Sequence, residues 1–197
     1  MTIFKSINDE KIPVRLIDGE VGVLPTDTVM SLVCSAVKPR SATRLYKIKQ
    51  RDKMPGTIIA ASIDQLVELG LKRRYLTAVE RYWPSTVSIV IPCGEGLGYL
   101  HQGVGSLAVR VVENKEMLKL LKKTGPLLST SANIHGAPES RSIPDAIRYF
   151  TDKVDIYVEP LEGLEQEVST VIRVVDDAVE VLRQGSVSIS EETGEIK

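Results

Sequence analysis

Along the chain, short β-branched apolar runs bounded by turn residues alternate with stretches in which apolar residues recur at helical spacing. That alternation predicts an α/β layered fold. Val21-Gly22-Val23-Leu24 reads as a buried strand that stops at Pro25, and Thr26-Asp27-Thr28 then opens a polar loop at the strand end, where open sheets tend to hold ligands. Further strands are expected at 57–61, 87–91, 107–111, 155–158, 170–175 and 179–182. Helices are expected at 64–69, 77–82, 115–123 and 143–150, and from Ser41, as its cap, to about Gln50. This last helix carries Lys49 and Arg51 to a solvent-reachable end. Gly125-Pro126 punctuates the chain before Leu127-Leu128, and the small polar run from Ser129 to Asn133 leads into a turn at Gly136-Ala137-Pro138.

Composition narrows the class. With 197 residues, 43% of them hydrophobic, the chain can bury one α/β core, and no linker or low-complexity break divides it. One domain over 1–197 is expected, with a frayed tail from about residue 190. The 25 basic and 26 acidic residues nearly cancel, so an anion site must be a local concentration of Lys and Arg. Cys34 and Cys93 have neither C-x-x-C spacing nor a disulfide pattern and read as reduced, packed thiols. No apolar leader and no run of membrane-spanning length is present, which predicts a soluble, cytoplasmic protein without membrane contact.

Among candidate motifs, a Walker A loop is absent, and Gly94-x-Gly96-x-Gly98 fails the dinucleotide pattern and reads as a surface turn. Phosphates, if bound, must then be held by side chains. Lys49 and Arg51, separated by Gln50, together with Ser129-Thr130-Ser131-Ala132-Asn133, form a plausible polyphosphate cradle. Each alone has a plainer reading, as a basic helix end that suits the helix dipole or as turn chemistry. His101 and His135, the two histidines, lack ligand spacing for a metal, assemble no Ser-His-acid triad, and read as surface or loop residues. Arg110, near the end of an apolar run, could clamp a carboxylate or a phosphate bidentately.

Six short motifs in order, Leu24-Pro25-Thr26-Asp27-Thr28, Lys49-Gln50-Arg51, Ser106-Leu107-Ala108-Val109-Arg110, Ser129-Thr130-Ser131-Ala132-Asn133, Ser169-Thr170-Val171 and Leu182-Arg183-Gln184-Gly185, give the chain its resemblance to the YrdC-type family of L-threonylcarbamoyladenylate synthases, in its short form. The resemblance spans about residues 20 to 187. It implies a YrdC-like twisted mixed β-sheet flanked by helices around a concave basic cavity. It implies a nucleotidyltransferase that makes threonylcarbamoyl-AMP and pyrophosphate from L-threonine, bicarbonate and ATP, for threonylcarbamoyladenosine in tRNA. Magnesium would arrive with ATP and have no protein ligands. Partners would include a downstream threonylcarbamoyl transferase and tRNA or RNA. By the same resemblance Lys49, Arg51, Ser106, Ser131, Asn133 and Arg183 hold ATP, with Lys49 and Arg51 also catalytic, while Thr26, Arg110, Ser129 and Ser169 hold L-threonine. The chain departs from the family at Met30-Ser31, where Tyr-Gly is common, and after Arg51, where the loop is one residue short. The alternatives are a non-catalytic RNA-binding or regulatory relative and a carbamoyl-adenylate enzyme that uses another amine or carbamoyl donor.

Overall fold

The computed structural model describes residues 1–160, 167–176, 178–190 and 192–196. In chain order its elements are β1 (Thr2–Phe4), α1 (Lys11–Asp18), β2 (Gly22–Pro25), β3 (Met30–Ser35), α2 (Pro39–Lys49), β4 (Thr57–Ala60), α3 (Ile63–Leu69), α4 (Arg73–Thr77), β5 (Val87–Pro92), α5 (Gly98–His101), β6 (Ser106–Val111), α6 (Lys115–Thr124), β7 (Leu127–Ser131), α7 (Ile143–Phe150), β8 (Ile156–Val158), β9 (Thr170–Val175) and β10 (Ala178–Arg183). The strands form one mixed sheet in the order β1-β8-β2-β3-β7-β4-β6-β5-β9-β10. Among the described residues, no helix is long and apolar enough to cross a membrane.

Both faces of the sheet are covered, and strand alternation decides which residue goes where. Leu32, Cys34, Ile58, Leu128 and Tyr157 join the core that packs α2, α3 and α7. Val33, Ile59, Leu127, Ile156 and Val158 point the other way, into a second core with Ile12 and Leu16 of α1 and Met117, Leu120 and Leu121 of α6. Burial on both faces explains why β3 carries no alternating pattern: all six of its residues are buried. β7 was equally hidden, because a polar Ser-Thr-Ser run resembles a loop although here it is a central strand between β3 and β4.

Several local expectations are corrected. Helix α2 starts at Pro39 and not at a Ser41 cap; Pro suits a first-turn position that needs no N–H, and the buried Ser41 hydroxyl instead donates to the Gly19 carbonyl at 2.8 Å. The helix expected at 77–82 is α4 followed by a 3₁₀ turn, Glu80–Tyr82. The glycine run includes a 3₁₀ turn, Glu95–Leu97, and leads into α5. His101 is buried, its Nδ1 accepting the N–H groups of Gly103 and Gly105. Residues 192–196 do not fray: Ile196 bridges Ile189, and the Tyr82 hydroxyl donates to the Gly194 carbonyl at 2.9 Å. Glu191 and Lys197, also part of the expected tail, lie outside the described residues.

Candidate functional site

A cavity of about 220 Å3 opens where β3, β4, β6, β7 and β9 present side chains on one side of the sheet. Its wall includes Ser31, Arg51, Ala108, Arg110, Ser129, Thr130, Ser131, Glu139, Ser169 and Arg183. Gly56 admits β7 to this wall, since a Cβ there would stand 2.7 Å from the Ser129 carbonyl oxygen.

The end of α2 supplies the cations. Gln50 takes the left-handed conformation (φ 54°), its N–H donating to the Lys47 carbonyl and the Arg51 N–H to the Tyr46 carbonyl, both at 3.2 Å, so the chain turns sharply between Lys49 and Arg51. Lys49 is only 2% exposed, which corrects the expectation of a solvent-reachable pair. Its Nζ donates to the Ser131 carbonyl at 2.6 Å, to Ser131 Oγ at 3.3 Å and to Asn133 Oδ1. Ser131 Oγ in turn donates to Asn133 Oδ1 at 2.8 Å. Burial, and secondarily the Arg51 charge, bring the Lys49 pKa down to about 8, with Glu139 pulling it the other way. The Arg51 guanidinium, also lowered by burial, donates to Thr130 Oγ1 at 3.1 Å, while its buried Nε has no partner among the described residues.

The opposite wall is built around Arg110 on β6. Its Nη2 donates to Asp27 Oδ1 at 2.7 Å, and both side chains are 3% exposed. Nη1 donates to Ser88 Oγ at 3.3 Å, and Ser88 Oγ donates to Ser169 Oγ at 3.1 Å. Arg183 closes the row: Nε and Nη2 donate to the Ser169 carbonyl at 3.0 and 2.8 Å, and Nη2 to Ser169 Oγ at 2.9 Å. Gly185 permits this approach, because a Cβ there would lie 2.2 Å from the Val168 carbonyl oxygen.

Of the residues expected at the site, Arg51, Arg110, Ser129, Ser131, Ser169 and Arg183 line the cavity. Lys49 and Asn133 stand directly behind Ser131. Thr26 is not in the lining; its hydroxyl donates to the Val29 carbonyl at 2.8 Å and shapes the loop beside Ser31. Ser106 is also outside the lining, two and four residues along the strand from Ala108 and Arg110 on the same face. Sequence reading missed Asp27, Ser88, Ser31 and Glu139. Asp27 lay inside a quoted polar run, whereas Ser88 carried one faint signal, a lone hydroxyl within an apolar strand.

Four cations, Lys49, Arg51, Arg110 and Arg183, and two carboxylates, Asp27 and Glu139, therefore stand in and behind the walls of one cavity. Such a site favours anions. The cavity is smaller than the roughly 300–1,000 Å3 of drug-sized ligand sites. Glu139 is shared with an outer cavity of about 720 Å3 that also includes Arg141, Arg148 and Tyr149.

The Sua5/YciO/YrdC family model, described as "Telomere recombination", matches residues 15–185. A protein of Pseudoalteromonas translucida named threonylcarbamoyl-AMP synthase is 33% identical over 161 residues, covering 77% of this chain and 85% of its own. One of Pseudomonas aeruginosa with the same name is 35% identical over 142 residues, 70% of this chain and 77% of that one. Among solved structures, P. abyssi Sua5 complexed with L-threonine superposes with a TM-score of 0.82 at 26% identity, covering 96% of this chain and 59% of that longer one. E. coli YciO, at 22% identity, shares the fold with a TM-score of 0.76 over 94% of this chain and 96% of its own.

Proposed function

Because this chain belongs to the Sua5/YciO/YrdC family, we propose that it is a threonylcarbamoyl-AMP synthase, a nucleotidyltransferase that joins L-threonine, bicarbonate and ATP. The observation that carries this reading is the pairing, across one small cavity, of a buried Lys49–Ser131–Asn133 cluster with an Arg110-centred wall. The first suits phosphates and the second a carboxylate.

In this reading the threonine ammonium and bicarbonate give a carbamate, water and a proton. A carbamate oxygen then attacks the α-phosphorus of ATP, and pyrophosphate leaves. The substrate brings its own nucleophile, so the protein has to align two reactants and stabilise charge that grows on phosphate oxygens. Lys49, Arg51 and Arg183 serve the phosphates, with Ser131 and Asn133 orienting Lys49. Arg110 holds the threonine carboxylate, and Ser129 and Ser169 provide further polar contacts. Thr26 and Ser106 are left as supports at the rim, Thr26 because its hydroxyl is committed to Val29.

Among the described residues no group of three or more His, Cys, Asp or Glu is placed to cage a metal. In this reading magnesium arrives on the ATP phosphates, where it neutralises their charge. The product would pass to a threonylcarbamoyl transferase acting on tRNA, in the cytoplasm. A non-catalytic RNA-binding role has less support, since Lys49, Arg51, Ser131 and Asn133 are all retained and mutually placed.

The test is incubation of the protein with ATP, bicarbonate and L-threonine, followed by mass detection of threonylcarbamoyl-AMP and pyrophosphate. Pyrophosphate release should need both threonine and bicarbonate. Release that ignores threonine would remove the assigned substrate. L-serine should be poorer, by the roughly 1–3 kcal/mol that one methyl group typically discriminates.

A further inference from the structure

Ser88 lies on β5, is fully buried at 0% exposure, and is not among the residues lining the cavity, yet it connects the two arginines of the cavity wall. A hydroxyl has one hydrogen to give and two lone pairs to accept with. Ser88 Oγ accepts from Arg110 Nη1, an obligatory donor, and gives its own hydrogen to Ser169 Oγ at 3.1 Å. The reverse arrangement would leave the Ser88 hydrogen without an acceptor in a dry interior, at the cost of an unmade buried hydrogen bond.

The consequence falls on Ser169, which lines the cavity. Its oxygen accepts from Ser88 and, at 2.9 Å, from Arg183 Nη2, another obligatory donor. Both lone pairs are then occupied, and the hydroxyl hydrogen is left to face the cavity. A group in this state can only donate. It can meet a carboxylate, carbamate or phosphate oxygen, and it cannot receive a hydrogen bond from a substrate ammonium. The two flanking guanidinium groups, acting through Ser88 and directly, also polarise the O–H bond in the direction that strengthens it as a donor.

We propose that Ser88 is a positioning residue that fixes Ser169 as a hydrogen-bond donor to an anionic oxygen of the amino-acid substrate. This rests on the synthase reading for the identity of that substrate. It divides the labour within the threonine site: Arg110 and Ser169 address oxygens, and the amine is left to the remaining hydroxyls, among them Ser31 and Ser129.

The experiment is calorimetric titration of the full chain with L-threonine and with L-threoninol, which keeps the ammonium and lacks the carboxylate. The proteins are the native chain, Ser88→Ala, Ser169→Ala and the double variant. Loss of one charge-assisted hydrogen bond should weaken L-threonine roughly tenfold in Ser169→Ala and somewhat less in Ser88→Ala. The double variant should bind no more weakly than Ser169→Ala, because Ser88 acts through Ser169. Binding of L-threoninol should change less than about twofold in Ser169→Ala, since its missing oxygens are the ones Ser169 addresses. Independent, multiplying losses in the double variant, or an equal loss of both ligands in Ser169→Ala, overturn the proposal. If Ser88→Ala does not fold, the two ligands on Ser169→Ala still decide the donor direction. Failure of the native chain to bind L-threonine at all would instead strike the synthase reading and take this proposal with it.

Discussion

Lys49 predicts two opposite pH slopes in one protein. Its folded pKa of about 8 lies below the ordinary 10.5 because burial opposes its charge. Between those values the unfolded chain binds more protons at this site than the folded one, so the contribution of Lys49 to stability rises with pH from about 8 to about 10.5, by up to about 3 kcal/mol. ATP binding should run the other way, because the phosphates need the charged ammonium. If only protonated Lys49 accepts ATP, affinity falls about eightfold between pH 7.5 and 9, and ATP takes up about half a proton on binding at pH 8. The phosphates themselves, with a second pKa near 6, hold their charge over this range. Burial also raises the pKa of Cys34, Cys93 and Tyr46, so above about pH 9 the unfolded chain releases those protons first and their contributions oppose the rise; the Lys49 slope is read below about pH 9. The assay is calorimetry with a non-hydrolysable ATP analogue in buffers of differing ionisation enthalpy, alongside urea unfolding over the same pH range. Lys49→Arg, which stays charged throughout, should lose both slopes whatever its absolute affinity. A flat ATP affinity from pH 7.5 to 9 in the native chain, or the same slope in Lys49→Arg, would refute the reasoning.

Further predictions concern the opposite wall and its support. Arg110→Lys keeps the charge and loses the fork that serves Asp27 and Ser88 together, so calorimetry should show L-threonine weakened roughly tenfold, with ATP binding measured without threonine little changed. Asp27→Ala leaves a buried guanidinium without its counter-charge and should cost about 3–5 kcal/mol in urea unfolding; a loss below about 1 kcal/mol would mean the pair is not buried as described. Gly185→Ala drives a Cβ against the backbone of Val168 and Ser169, at 2.2 and 2.6 Å, and should abolish threonine-dependent pyrophosphate release, whereas Gly94→Ala, with nothing within 4 Å, should leave it intact.

The parts of the site legible in the sequence were those in which a charged or hydroxyl residue interrupted a regular pattern. Lys49 and Arg51 gain meaning only beside the Ser129–Asn133 run, since a basic helix end has a plainer reading, and Arg183 enters only through the family resemblance. Ser129 and Ser131 were noticed as a polar cluster but misplaced in kind, since a strand that turns polar where it meets a cavity loses the β-branched signal by which strands are recognised. Lys49 shows a second limit. Its exposure depends on Ser131 and Asn133, whose approach no local window reveals. Asp27 and Ser88 matter through single partners on distant strands, and a lone buried serine has no pattern of its own. Elements such as β4, β6, α6 and α7 were readable because their periodicity alone accounts for them. β3, buried on both faces, and the three-residue β1 offered too little alternation.

Four links of the site are nearly equal in span: Asp27 reaches Arg110 over 83 positions, Lys49 reaches Ser131 and Asn133 over 82 and 84, and Ser88 reaches Ser169 over 81. Contacts of such separation close slowly, and none can form before its later member has been synthesised. At about 5–20 residues per second, Lys49 precedes Asn133 by roughly 4–17 s on the ribosome. Until β7 is added, the end of α2 lacks the Ser131 and Asn133 partners that hold Lys49 in the interior. The Lys49 cluster can close only after Asn133 has been added, while the row from Arg110 through Ser88 waits for Ser169 and Arg183. The Lys49 half of the cavity thus has all its residues synthesised before the Arg110 half does.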